Sequence, residues 1–209
     1  MLNRSETWRD LRAAEVVAYR SAFEQQGDYR GFFSISEYGD AARAGVEIAE
    51  TCSRCLDIGC GVLPRPVYMQ TDFVGIDPFF GEGPRQFPFV QAIGEHLPFP
   101  SQSFPCCSFM STLDHQIEPL VALGEAWRIL KSYGYLWLWL ELRSDTDARY
   151  HWWRTQPPGT LFDAHHQHAF IKADVVALLA QSGFRWLGMN SYPGTSYWPP
   201  TQLIVGMKQ

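Results

Sequence analysis

A chain in which apolar runs of about four to eight residues alternate with amphipathic connections has few ways to bury its backbone. Each run pairs with the next through a crossover, and the product is a mainly parallel sheet. The sequence follows that pattern from Cys55 onward. Strands are expected at 55–58, 73–76, 88–91 and 105–110, then a helix from Glu118 to Leu130 and a long strand from Tyr133 to Leu140. Residues 143–169 read as irregular, and Lys172 to Ser182 as a helix stopped by Gly183. Two last strands, 184–189 and 202–207, flank a Pro- and Gly-rich connection and can form a hairpin. The expected product is an α/β domain around a seven-stranded sheet, with one strand antiparallel to the rest. Upstream, residues 5–27 read as a helix capped by Ser5, 31–39 as an aromatic loop, and Asp40 to Glu50 as a second helix. Residues 1–50 would then form a helical cap on a core spanning 51–209, all within a single domain.

Composition narrows the partners. The net charge is −5, and three lysines and fourteen arginines are scattered without a basic stripe. A binder of phosphate backbones needs such a stripe to displace counterions, so a small molecule is expected rather than nucleic acid. The longest apolar run, Tyr133 to Leu142, stops far short of the roughly 18–20 residues that span a bilayer. Residues 1–6 carry no apolar signal core. No membrane partner and a cytoplasmic location are expected. The five cysteines, at 52, 55, 60, 106 and 107, form an odd set unsuited to a disulfide framework. They read as buried thiols, and no metal site is expected at Cys52-Ser53-Arg54-Cys55.

The most informative hexapeptide is Leu56-Asp57-Ile58-Gly59-Cys60-Gly61. A strand ending in Gly-x-Gly turns tightly and lets its backbone approach a ligand with no Cβ in between. A second strand ends in Val74-Gly75-Ile76-Asp77, which places an acid 18 positions after Gly59. That offset is close to the ~20 residues at which a carboxylate meets a ribose in βαβ nucleotide sites. A dinucleotide fingerprint requires a third glycine where this chain has Pro64, which disfavours a nicotinamide-dependent oxidoreductase. Asp57 would also repel a pyrophosphate, whereas it attracts a ligand carrying an ammonium and a sulfonium.

These motifs, followed by Gly94-Glu95-His96-Leu97-Pro98-Phe99-Pro100, Ser103-Phe104, Leu113-Asp114-His115 and Glu125-Ala126-Trp127-Arg128-Ile129-Leu130-Lys131, resemble the class I S-adenosylmethionine-dependent methyltransferases. Within them the chain is most similar to the "methyltransferase type 11" group of small-molecule enzymes. The resemblance runs over residues 52–142 and implies a Rossmann-like fold and S-adenosyl-L-methionine as cofactor. It implies that Asp57, Gly59, Cys60 and Gly61 line the methionine half, that Asp77 holds the ribose, and that Pro78 sits by the adenine. It further implies that Ile93, Gly94 and Glu95 lie against the adenine edge, and that Met110 and Ser111 face the cofactor. Three departures stand out: Leu63 in place of a further glycine, Ile93 in place of an acid, and a first crossover shortened around Pro64 and Pro66. They leave open an alternative, a cofactor-binding regulatory or scaffolding protein without turnover.

For catalysis the resemblance places His115 in the loop opening toward the methyl acceptor. There it is either a general base, for an acceptor that must lose a proton, or a structural histidine capping the loop. Asp163-Ala164-His165-His166-Gln167-His168 is the densest titratable cluster: it could bind a metal or deprotonate an acceptor, or be a polar loop, and acid–base or substrate contact is expected rather than a metal site. Among the abundant aromatics, alternation along Tyr135, Trp137 and Trp139 places most of the rings in the core. Trp152, Trp153, Phe32, Phe33 and Tyr38 are expected nearer the substrate. The acceptor, the atom methylated and the oligomeric state are not encoded in any motif.

Overall fold

The computed structural model describes residues 39–61, 72–78, 87–163, 166–193 and 200–209. The expected helix at 5–27, Phe32, Phe33 and Tyr38, the crossover with Leu63, Pro64 and Pro66, and His165 lie outside the described residues. The elements run α1 (Gly39–Thr51), β1 (Arg54–Ile58), β2 (Asp72–Asp77), β3 (Phe89–Gln91) and β4 (Phe104–Met110). A 3₁₀ turn (Leu113–His115), α2 (Pro119–Ile129), β5 (Leu130–Leu140), α3 (Ala148–Arg154), α4 (Lys172–Gln181), β6 (Phe184–Tyr192) and β7 (Thr201–Lys208) follow.

The strands form one seven-stranded sheet in the order β3-β2-β1-β4-β5-β7-β6. The pairs β1–β2, β2–β3, β1–β4 and β4–β5 are parallel, and β7 is antiparallel to both β5 and β6. Chain order therefore reverses between β1 and β4. In open parallel sheets the crevice outside the carboxyl ends of the strands at such a switch point receives ligands.

Alternation of side chains along the strands builds two apolar layers. Leu56, Ile58, Val74, Ile76 and Phe109 face Ala122, Leu123, Ala126 and Ile129 of α2 and Val175 and Leu179 of α4. Their neighbours Cys55, Phe73, Cys106 and Trp137 turn to the other face, against Ala44 and Ile48 of α1. Ala44 and Ile48 lie four residues apart, one helical turn, and both are fully buried. Burying a side chain such as Ile48 contributes about 1.5–3 kcal/mol. Trp137 is in the core as expected, with Tyr135 and Trp139 packed against it. No helix among the described residues is long and apolar enough to cross a membrane.

Three differences from the sequence reading have physical causes. The stretch read as irregular contains α3, whose seven residues give too little periodicity to recognise. Its start is fixed by the Asp147 carboxylate, which accepts from the N–H groups of Arg149 and Tyr150 at 2.8 and 3.0 Å. β5 begins at Leu130 rather than Tyr133, and a register shift against β4 between Phe104 and Cys106 accommodates Tyr133 at φ +61°. The cysteines are also not all thiols: Cys52 and Cys106 form a disulfide, while Cys55, Cys60 and Cys107 remain buried thiols. The β1–β4 register sets Cys55 opposite Cys106, which carries Cys52 into reach of Cys106. That proximity is a property of topology, invisible in the C-x-x-C spacing. Burial pushes the Cys55 and Cys107 thiols up, so both stay protonated and inert.

Candidate functional site

The expected cofactor residues on β1 and β2 converge at the carboxyl ends of these strands, beside the switch point. Asp57 is fully buried in β1, and its Oδ1 accepts from Ser108 Oγ of β4 at 3.0 Å. The chain then turns through Gly59 and Gly61, at φ +78° and +69°, a conformation that L side chains rarely adopt. The N–H groups of Gly59 and Cys60 both donate to Ile76 O at 2.9 Å. Gly61 N–H donates to Asp77 Oδ2 at 2.8 Å, with Asp77 only 6% exposed. The glycine turn and the acid at the tip of β2 are thus one hydrogen-bonded unit. Pro78 extends it, its carbonyl accepting from Gln91 Nε2 at 2.7 Å.

The glycines also serve approaches within the protein. A Cβ on Gly59 would meet Thr112 Cβ at 2.7 Å, and one on Gly75 would meet Cys60 Sγ at 2.6 Å. A Cβ on Gly94 would collide with the Gln116 side chain. Thr112 Oγ1 donates to Ile58 O at 2.6 Å, and Gln116 Nε2 donates to Thr112 O at 2.9 Å. The segment after β4 is therefore laid across the tip of β1 and the turn after β3. Met110 is buried at the end of β4, and the exposed Ser111 (φ +56°) follows, its N–H on Trp139 O at 2.7 Å. Sequence reasoning missed Thr112 and Gln116, since hydroxyl and amide residues after a strand carry no motif of their own.

Of the adenine-edge candidates, Ile93 is half-buried and Gly94 buried in a tight turn, with His96 N–H on Ile93 O at 3.1 Å. The Glu95 carboxylate also bonds within the protein. Its Oε1 accepts from the N–H groups of Ile117 and Glu118 at 2.8 and 3.1 Å, at the start of α2. A carboxylate at a helix N-terminus meets both orphan donors and the positive end of the dipole.

His115 ends the 3₁₀ turn beside the loop carrying the other histidines. Asp114 O accepts from the N–H groups of Gln167 and His168 at 3.1 and 3.0 Å, which fastens the two segments together. The rings of His115 and His166 lie 4.9 Å apart between centroids. Asp163 accepts from His166 N–H at 2.9 Å and lies within 2.9 and 3.0 Å of its Nδ1 through Oδ1 and Oδ2. Burial pushes Glu141, just beyond β5, up; Arg143 and His166 counter this, while Asp114 and Asp163 add to it. His168 is held below the usual imidazole range by burial. A cavity of about 370 Å³ opens between the start of α2, α3 and α4, with Glu118, Trp153, His168 and Asp174 in its wall. None of the expected cofactor residues lines it. Trp152 is 59% exposed, and Trp153 Nε1 donates to Thr160 O at 2.8 Å.

Residues 56–138 match the family described as "Methyltransferase domain". The sequence matches none of the curated proteins. Among solved structures, a 1,6-didemethyltoxoflavin-N1-methyltransferase from Burkholderia thailandensis, with 1,6-didemethyltoxoflavin and S-adenosylhomocysteine bound, is similar at TM-score 0.69 and 16% identity, covering 96% of this chain and 90% of that one. A SAM-dependent methyltransferase from Thermotoga maritima aligns at TM-score 0.63 and 19% identity, over 90% of this chain and 98% of that one. The [4+2]-cyclase SpnF aligns at TM-score 0.59 and 16% identity, over 80% of each chain. At such identities the likeness is one of fold, and the same fold carries more than one chemistry.

Proposed function

We propose that this chain is a class I S-adenosylmethionine-dependent methyltransferase, with S-adenosyl-L-methionine as cofactor, and that it transfers a methyl group to a small-molecule acceptor; the domain match over residues 56–138 and the fold support this reading. The observation that carries this reading is the Gly61–Asp77 unit at the carboxyl ends of β1 and β2, where a side-chain-free turn and a buried acid meet. The donor set fits the group. Two buried carboxylates, Asp57 and Asp77, suit an ammonium and a ribose diol, and no cation among the expected contacts prepares the crevice for pyrophosphate.

When bound, the cofactor supplies an electrophilic methyl on a sulfonium, open to in-line displacement. The protein's part is to position. Asp57 and the Gly59–Gly61 turn hold the methionine half, Asp77 fixes the sugar, and Met110 and Ser111 close the side toward β4. An acceptor held about 3–3.5 Å from the methyl gains most of its rate from orientation alone. Activation of the acceptor falls to His115 and the residues around it, which stand just past Ser111.

Calorimetric titration with S-adenosylhomocysteine tests the reading. Wild type binds, and Asp77→Ala binds at least about tenfold more weakly, as expected for losing a hydrogen bond to a charged group. A wild-type protein that takes up no nucleoside sinks the proposal. Release of labelled methyl into a panel of small acceptors separates an enzyme from a binding protein of the same fold.

A further inference from the structure

Asp114 is 8% exposed, and its Oδ1 has no hydrogen-bond partner among the described residues. A buried carboxylate oxygen left in that state is costly, so the surroundings of Asp114 matter. His115 Nε2 faces Oδ1 at 4.0 Å, and His166 Nε2 faces Oδ2 at 3.8 Å. Both separations exceed a hydrogen bond. One ligand atom from each of the three residues lies within 4.8 Å of the other two.

The chemistry of His166 sharpens this geometry. Its Nδ1 lies against both oxygens of Asp163, so in the neutral ring Nδ1 carries the proton and Nε2 presents a lone pair. That nitrogen lies 3.8 Å from a carboxylate oxygen of Asp114. Two acceptors facing each other across a gap too wide for a shared proton call for a cation between them. A gap of 3.8 Å is spanned by two metal–ligand bonds of about 2.0–2.1 Å. A carboxylate on the far nitrogen of a ligating histidine is also the usual way such a ring is oriented and its basicity raised. The backbone bonds from Gln167 and His168 to Asp114 O fix both segments in place.

We propose that Asp114, His115 and His166 form a binding site for a divalent transition-metal cation, oriented by Asp163. Two imidazoles and one carboxylate suit zinc, iron, cobalt or nickel and leave positions open for a further ligand. The role of the ion in methyl transfer rests on the preceding reading: it would take an acceptor oxygen as ligand and ease loss of its proton. The sequence pointed to the histidine cluster after Asp163 but not to Asp114 and His115 as its partners, because the two halves lie some fifty residues apart and meet only in the fold.

The test uses the full chain without an affinity tag and Co²⁺ as the probe, followed by visible absorption and calorimetry. The expected result is one Co²⁺ per chain, displaced by Zn²⁺ and not by Mg²⁺. His166→Ala and Asp163→Asn should weaken it about ten- to a hundredfold. Asp114→Asn keeps the backbone carbonyl that anchors the loop and should weaken it likewise, so the result stands even if His166→Ala fails to fold. Absence of a saturable one-to-one site in wild type, or equal affinity in wild type and Asp114→Asn, overturns the proposal. S-adenosylhomocysteine titrated into the same samples keeps the readings apart: nucleoside binding without Co²⁺ binding overturns only the metal site, and the reverse overturns only the methyl-transfer reading.

Discussion

Gly59 shows how one position answers to two demands. Its φ of +78° needs a residue tolerant of the left-handed region, and its missing Cβ leaves room for Thr112. The left-handed backbone alone costs a residue with a side chain roughly 1–2 kcal/mol. The clash adds to that, because the atom in the way is Thr112 Cβ, fixed to the backbone. Gly59→Ala is therefore expected to lose about 2 kcal/mol or more and to lower the melting temperature by several degrees, read by calorimetry. Gly-x-Gly was legible in the sequence as a turn. The partner that fills the space beside it was not, because Thr112 lies on another strand's exit.

At the scale of elements, α2 is held by groups remote in sequence at both ends. Glu95 meets its N-terminus, and at its other end Lys208 Nζ donates to Trp127 O and Leu130 O, both at 2.8 Å. Along its length Arg128 donates to Leu97 O at 2.9 Å and Phe99 O at 2.8 Å, while Glu125 accepts from Leu97 N–H at 2.9 Å. The hydrogen bond from Arg128 holds the Glu125 carboxyl below its ordinary value, burial opposes this, and Leu97 N–H adds to it. A depressed carboxyl contributes stability above its unfolded value of 4.5 and loses it as pH falls through the lower folded value. Glu125→Gln is expected to be less stable than wild type at pH 7, with the gap closing on acidification through that window, followed by urea unfolding at a series of pH values. Equal gaps at pH 7 and pH 3 would show that the carboxylate charge is not what holds the turn. The sequence marked the helix, through its apolar spacing and Pro119, but its anchors come from two other segments, residues 95–99 and the end of β7. Glu95 illustrates the limit: no motif discloses that its carboxylate meets a helix terminus.

For the molecule as a whole, the strand-and-crossover rhythm was enough to anticipate seven strands with one running against the rest, because burial on both faces leaves a strong apolar signature in each run. What sequence could not supply were contacts set by topology. The register of β1 on β4, the meeting of Asp114 with His166, and the pairing of Cys52 with Cys106 all depend on which strand lies beside which. The short α3 was hidden for a different reason, being too brief to show a period.

The Cys52–Cys106 bond closes a covalent ring across 54 residues. Inside that ring lie β1, the glycine turn, Asp77 and the Ile93–Glu95 turn, so every protein group expected to touch the nucleoside, save Met110 and Ser111, belongs to one loop of chain. A protease that nicks this loop once does not release a fragment. The cut chain should migrate as a single band on a denaturing gel run without reductant and split into two pieces when thiol is added.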